Sequence, residues 1–225
     1  MTKEEYLAHA QEDDGWAPGW LAIDSAFEAL YPGVTPLHLG TELAARAMFG
    51  GQDYIDGISL FPSPTGYQHL VTYGMSKLYV DEESFGGDFS GWGYEMTMKV
   101  RANTAEECWW AVNSLGNLAR YTYKSERWFE PFQFVSGRGQ PLRTESTTQL
   151  TSYVVVPDTE VPGIDTVHGR VDFLQLVGVT QAELDWVASE SPDGAAERAQ
   201  ELTTRIAADN NPLLATDLSR TISCV

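Results

Sequence analysis

Basic side chains are scarce in this chain: 14 Lys and Arg stand against 32 Asp and Glu in 225 residues, a formal net charge of −18. A phosphate backbone is repelled by such a field unless a local basic patch intervenes, and the nearest basic spacings, Lys99 with Arg101 and Arg120, Lys124 and Arg127, do not form one. Nucleic acid is therefore excluded as the expected partner. Cysteine is nearly absent, with Cys108 inside an apolar helical pattern and Cys224 next to the last residue, which fits a reducing compartment and no disulfide framework. The four histidines, His9, His38, His69 and His168, show no metal-ligand spacing, so no metal site is expected. No glycine-rich stretch is followed by GK[ST], and no dinucleotide fingerprint occurs, so no cofactor is expected either. No run reaches the ~20 apolar residues of a membrane span, and MTKEEYLAHAQEDD has no apolar segment after a positive one; the expected location is cytoplasmic.

Apolar residues make up 43% of the chain and aromatics 12%, the content of a folded protein and not of an acidic disordered tail. The length suits one core. The expected division is an acidic N-terminal arm over 1–18, one domain over 19–220 and a short tail over 221–225. The acidity is uneven: residues 1–98 carry 15 acids and 3 bases, net −12, and residues 99–225 carry 17 acids and 11 bases, net −6.

Trp20, Ile23, Phe27 and Leu30 share one face of a helix that follows Pro18 and ends at Tyr31, Pro32 and Gly33. Residues 36–48 are compatible with strand or helix. Strands are expected at 55–61 and 68–73, joined by the turn SPTG, and at 94–101, where Tyr94, Met96, Met98 and Val100 alternate with Glu95, Thr97, Lys99 and Arg101. That alternation predicts one core face and one that is wet or covered by a partner. Residues 81–93, rich in glycine and serine with four acids, read as an exposed acidic loop. Thr104 and Glu107 form a capping-box pattern opening a helix to about Tyr121, striped by Cys108, Val112, Leu115 and Ala119. Residues 129–147 read as an irregular excursion. Strands at 149–156 and 169–176 follow, then a helix capped by Thr180 and Glu183, and a last helix opened by Ser191 and Pro192 and striped by Ala195, Ala199, Leu202 and Ile206. The order predicts an α/β protein of the α+β type: a mixed, largely antiparallel sheet flanked by helices.

No catalytic constellation stands out. Ser59, Ser63, Ser76 or Cys108 would serve as nucleophile with His69 as base, but none sits in a GxSxG elbow, and QHLVTY is an aromatic strand context in which a histidine is usually structural. Asp53 and Asp56 lie three apart without a visible pocket to separate their acidities. The unusual feature is aromatic density near acids, from Tyr67, Tyr73 and Tyr79 through Asp81, Glu82, Glu83, Phe85, Asp88, Phe89 and Trp92 to Glu95. Tyrosine and tryptophan beside carboxylates suit a protein interface for a basic segment; the alternative is that these aromatics fill the core while the acids face water.

The chain resembles the Suppressor of fused family, through GWLAIDSAFEALYPG (19–33), DYIDGISLF (53–61), HLVTYGMSKLY (69–79), GWGYEMTMKV (91–100), NSLGNLARYTYKS (113–125), VHGRVDFLQLVGVTQAEL (167–184) and LLATDLSR (213–220). The resemblance implies that family's N-terminal domain, a mixed sheet flanked by helices. In animals the family grips a short peptide strand of Hedgehog-pathway transcription factors between two domains. By the motifs TYGMSKLY and GYEMTM, the peptide-contacting positions correspond to Leu70, about Asp81, and Glu95. The family's His-Trp-His before that strand reads Tyr67, Gln68, His69 here. The chain looks like the bacterial single-domain members, thought to include immunity proteins. The expectation is a non-catalytic protein-binding module, an immunity or antitoxin type neutralising a basic toxin domain, with Leu70, Tyr73, Tyr79, Asp81, Glu82, Glu83, Trp92 and Glu95 at its interface. The alternatives are a hydrolase-like enzyme using His69 near Asp56 and a self-assembling scaffold.

Overall fold

A computed structural model describes residues 1–41 and 54–225, without the side chains of residues 192 and 193. Asp53, and the part of the open 36–48 segment beyond Thr41, lie outside the described residues.

The chain opens with α1 (Lys3–Glu12) and α2 (Pro18–Leu30). Strands β1 (Leu37–Gly40), β2 (Gly57–Pro62), β3 (Gln68–Tyr73) and β4 (Phe89–Val100) follow. Next come α3 (Trp109–Ser125), β5 (Phe134–Ser136), β6 (Leu150–Pro157), β7 (Ile164–Thr166) and β8 (Gly169–Thr180). Helices α4 (Gln181–Ala188) and α5 (Pro192–Ala208) close the fold. One sheet runs in the order β1-β2-β3-β4-β8-β6-β5, with β7 also paired to β8. Among the described residues every strand pairing is antiparallel except β4 with β8. The expected mixed, largely antiparallel sheet flanked by helices is what forms.

Both faces of the centre are covered. On one, Ile58, Leu60, Leu70, Met96, Met98, Leu174 and Leu176 pack against Ala111, Leu115 and Ala119 of α3. The other face is shared. Ile23 and Phe27 of α2 lie over Phe61, Val71, Tyr73 and Phe173, and α4 and α5, through Val187, Ala199, Leu202 and Ile206, lie over Val154, Val156, Val177 and Val179. Double coverage explains why the wet face expected for β4 does not exist: Thr97 and Lys99 point under the 157–161 loop and Glu95 under the turn that follows β3, all fully buried.

The strongest local signals hold closely. Thr180 and Glu183 form a reciprocal capping box, and Ser191 caps α5 with Pro192 in its first turn. The Thr104 side chain makes no cap; instead Glu107 Oε2 accepts from the N–H groups of Asn103 and Thr104. A 3-10 turn at Glu106–Cys108 then leads into α3. The 81–93 loop is shorter than expected, because β4 begins at Phe89, and the 129–147 excursion contains β5. The acidic arm is ordered: α1 has its own capping box at Thr2 and Glu5 and buries Tyr6.

Candidate protein-binding site

Glu95 organises the site from below. Its carboxylate accepts hydrogen bonds from the N–H groups of Gly74 (3.1 Å), Met75 (3.3 Å) and Ser76 (2.9 Å) and from the hydroxyls of Ser76 (2.6 Å) and Thr72 (2.7 Å). Five converging donors shape the turn after β3 that carries the chain to Tyr79. Glu95 therefore cannot meet a partner at the surface as expected; it holds the turn that leads to Tyr79. Leu70 and Tyr73 are likewise fully buried, Leu70 under α3 and Tyr73 under α2 with its hydroxyl donating to Asp24 (2.8 Å). These three are corrections to the expected interface, and each follows from β3 and β4 being central strands covered on both faces.

Burial pushes the Glu95 carboxyl up to about 7 against the hydrogen bonds that favour its charge. An unfolded glutamate ionises near 4.5, whereas the folded one keeps its proton until about 7, so this group's contribution is greatest below 4.5 and is lost as pH rises through 7. Relative to Glu95→Gln, wild type is expected to lose about 3 kcal/mol of stability between those limits, measured by urea unfolding across the range. A relative stability that rises with pH would mean that the five donors outweigh burial.

Above this base, Tyr79 is 52% exposed, and Tyr79, Asp81, Trp92 and Tyr123 line a cavity of about 670 Å³. Tyr123 closes one side with its hydroxyl donating to the Gly74 carbonyl. Asp81 is an organiser as well as an acid. Its Oδ1 accepts from the N–H groups of Glu83 and Ser84 (3.1 Å each), and its Oδ2 takes Lys77 Nζ at 2.7 Å. The Lys77 hydrogen bond is the main reason its carboxyl is held down to about 2. Glu82 and Glu83 are exposed, with Glu82 meeting Lys3 of α1 at 3.1 Å across open solvent.

The sequence reading missed the tyrosine that ties α1 to this loop. Tyr6 Oη accepts from the Asp81 N–H (2.7 Å) and donates to His168 Nε2 (2.8 Å), whose Nδ1–H donates to the Lys77 carbonyl (3.2 Å). This chain of bonds fixes the His168 tautomer. Burial keeps the imidazole below its ordinary value. The available signal was the capping pattern Thr2 to Glu5 with one aromatic behind it.

His69 stands opposite Phe61, five positions along the chain from Asp56, and not beside Asp56 as the hydrolase alternative required. It is fully buried, with Nε2–H donating to Asp158 Oδ2 (2.9 Å) and Nδ1 accepting from the Tyr31 hydroxyl (2.9 Å). Burial pushes its pKa below the ordinary value against the pull of Asp158. Asp158 also accepts from Lys99 Nζ (2.9 Å) and Thr97 (2.6 Å), and from the N–H groups of Glu160 (2.8 Å) and Val161 (3.0 Å). Burial alone would raise the Asp158 carboxyl; His69 and Lys99 reverse this and hold it well below the usual range. Both ring nitrogens of His69 are thus engaged, Nε2 in holding the 157–161 loop onto the sheet and Nδ1 in holding the end of α2.

Among the described residues no group of His, Cys, Asp and Glu could hold a metal ion, and no helix is long and apolar enough to cross a membrane.

Residues 51–221 match the Suppressor of fused protein (SUFU) family. Suppressor of fused homologs of Homo sapiens and Mus musculus are each 30% identical over an alignment 215 positions long that covers 90% of this chain and 43% of theirs. The chain thus spans less than half the length of these relatives. Among solved structures, a chain of "the Sufu-Fu complex" superposes with a TM-score of 0.76 at 26% identity, over 92% of this chain and 93% of that one. Drosophila Suppressor of Fused gives 0.75 at 27% identity, over 92% of this chain and 51% of that one. A Suppressor of fused homolog from Neisseria gonorrhoeae shares the fold at 15% identity, with a TM-score of 0.62 over 92% and 97% of the two chains. Fold, order of motifs and sequence identity agree: the chain belongs to the Suppressor of fused family.

Proposed function

We propose that this chain is a non-catalytic protein-binding module whose acidic edge, Tyr79, Asp81, Glu82 and Glu83 beside Trp92, receives a basic segment of a partner protein. The observation that carries this reading is the exposed pair Glu82 and Glu83 next to the aromatic cavity of Trp92 and Tyr123, on a loop that Glu95, Asp81 and Tyr6 hold in a single shape. An ordered loop lowers the entropy cost of association, aromatic walls supply affinity, and carboxylates supply encounter rate. Protein binding accords with the family, one of whose similar structures is a Sufu-Fu complex.

The finer reading is that the partner is a basic toxin domain and that this chain neutralises it by covering its working surface, as an immunity protein does. The net charge of −12 over residues 1–98 supports it. Affinity capture from the host with the tagged chain, at low and moderate salt, is expected to retain one basic protein stoichiometrically. Expression of that protein alone should arrest growth, and co-expression with this chain should restore it. A captured partner that is harmless alone removes the toxin reading and leaves the binding reading standing; no partner at either salt removes both.

A further inference from the structure

On the other side of Trp92 from the acidic edge, β4 bulges against β8. Phe89 pairs with Arg170 and Tyr94 with Asp172, so four residues of β4, 90 to 93, stand opposite the single Val171. Gly91 and Gly93 make the excursion possible, both with left-handed φ (58° and 81°). A Cβ at Gly91 would sit 2.6 Å from the Met75 carbonyl oxygen. Beside this bulge lies a groove of about 710 Å³ lined by Phe173 and Leu174 and by Phe129, Pro131 and Val161.

Three observations indicate what fills it. Phe89 and Trp128 line the groove yet are 64% and 56% exposed, a large apolar area left in water. The wall at Val161 is fixed, because Asp158, anchored by Lys99, accepts its N–H. Among the described residues the charged lining is acidic throughout: Glu130, Asp158 and Asp172, with no lysine or arginine. Asp158 is turned inward to Lys99, and Asp172 Oδ1 accepts from Arg170 Nε at 2.9 Å. Among the described residues the Glu130 side chain accepts a neutral amide donor alone, Gln133 Nε2, at 3.1 Å.

We propose that this groove is a second docking site, separate from the acidic edge, for a short extended segment of a partner protein that lays a bulky apolar side chain against Phe89 and Trp128 and places a lysine or arginine beside Glu130. A second copy of this chain is a poor occupant, since each copy carries a net charge of −18 and an acidic groove.

The test is selection of displayed random 12-residue peptides on the immobilised chain, followed by affinity measurement of the enriched sequences. Enrichment of an aromatic or leucine next to lysine or arginine is expected. Binding should fall roughly tenfold or more in Trp128→Ala and in Phe89→Ser, be unchanged in the Glu82→Lys/Glu83→Lys variant, and turn toward acidic peptides in Glu130→Lys. Phe89 and Trp128 are mostly exposed, so both variants should keep the wild-type melting temperature within a few degrees. The proposal is overturned if nothing is enriched, if enriched peptides bind Trp128→Ala and Phe89→Ser as tightly as wild type, or if Glu130→Lys leaves their charge preference unchanged.

Discussion

Replacing Lys99 by Met is expected to cost about 3–5 kcal/mol of stability at pH 8 and clearly less at pH 6. Lys99 and Asp158 are both fully buried, and the ammonium also donates to Thr159 (2.6 Å) and Gln175 (3.0 Å) and lies 3.4 Å from Glu160. Removing the cation leaves a carboxylate in the interior with only neutral donors. The partner still present is His69, 2.9 Å from the same carboxylate. Lys99 is one of the groups depressing the imidazole, so its loss raises the His69 pKa above its wild-type value. In the variant, protonated His69 offsets part of the uncompensated Asp158 charge, so the cost of the substitution shrinks as pH falls through the variant's His69 pKa. Chemical unfolding of wild type and Lys99→Met at pH 6 and pH 8 measures both parts. Equal losses at the two pH values would show that His69 does not replace the missing charge.

Tyr6→Ala should release α1 and destabilise the protein by about 3–5 kcal/mol, the usual cost of truncating a buried aromatic. The ring is fully buried, 4.7 Å from Phe85 and 5.2 Å from Trp16 between ring centres, and Tyr6 is the one residue of α1 that is buried. A ten-residue helix has little stability of its own, so α1 without its anchor should unfold locally. Tyr6→Phe keeps the packing but strands the Asp81 N–H and the His168 acceptor, at about 1–3 kcal/mol. Hydrogen exchange is the measurement: protection should vanish over 3–12 in Tyr6→Ala and fall at Asp81 in both variants. Unchanged protection of α1 in Tyr6→Ala would mean that other contacts hold the helix.

What was legible in the sequence follows the range of the interactions. β3 was readable to the residue, and the caps of α4 and α5 were unambiguous, because a hairpin turn, Thr180 with Glu183, and Ser191 with Pro192 act within a few positions. The alternation of β4 was also correct as a period. It could not say what lies over Glu95, Thr97 and Lys99, since the cover comes from the turn after β3, some 20 residues earlier, and from a loop some 60 residues later. The same distance hid the pairing of His69 with Asp158, 89 positions apart, and of Tyr6 with His168, 162 apart. Of the expected interface, Tyr79, Asp81, Glu82, Glu83 and Trp92 are gathered at one edge, while Leu70, Tyr73 and Glu95 are core. The groove under Phe89 and Trp128 had no sequence signature, because it arises where two strands distant in sequence fall out of step.

Binding through the acidic edge is tested most directly by the association rate of the captured partner with wild type and with Glu82→Lys/Glu83→Lys, at low and high salt. Asp81 is left intact in this variant because its carboxylate holds the turn. The expected result is a roughly tenfold slower association for the variant at low salt, a flatter salt dependence and an unchanged melting temperature. Equal association rates at both salts, in a variant that folds like wild type, would contradict binding at this edge.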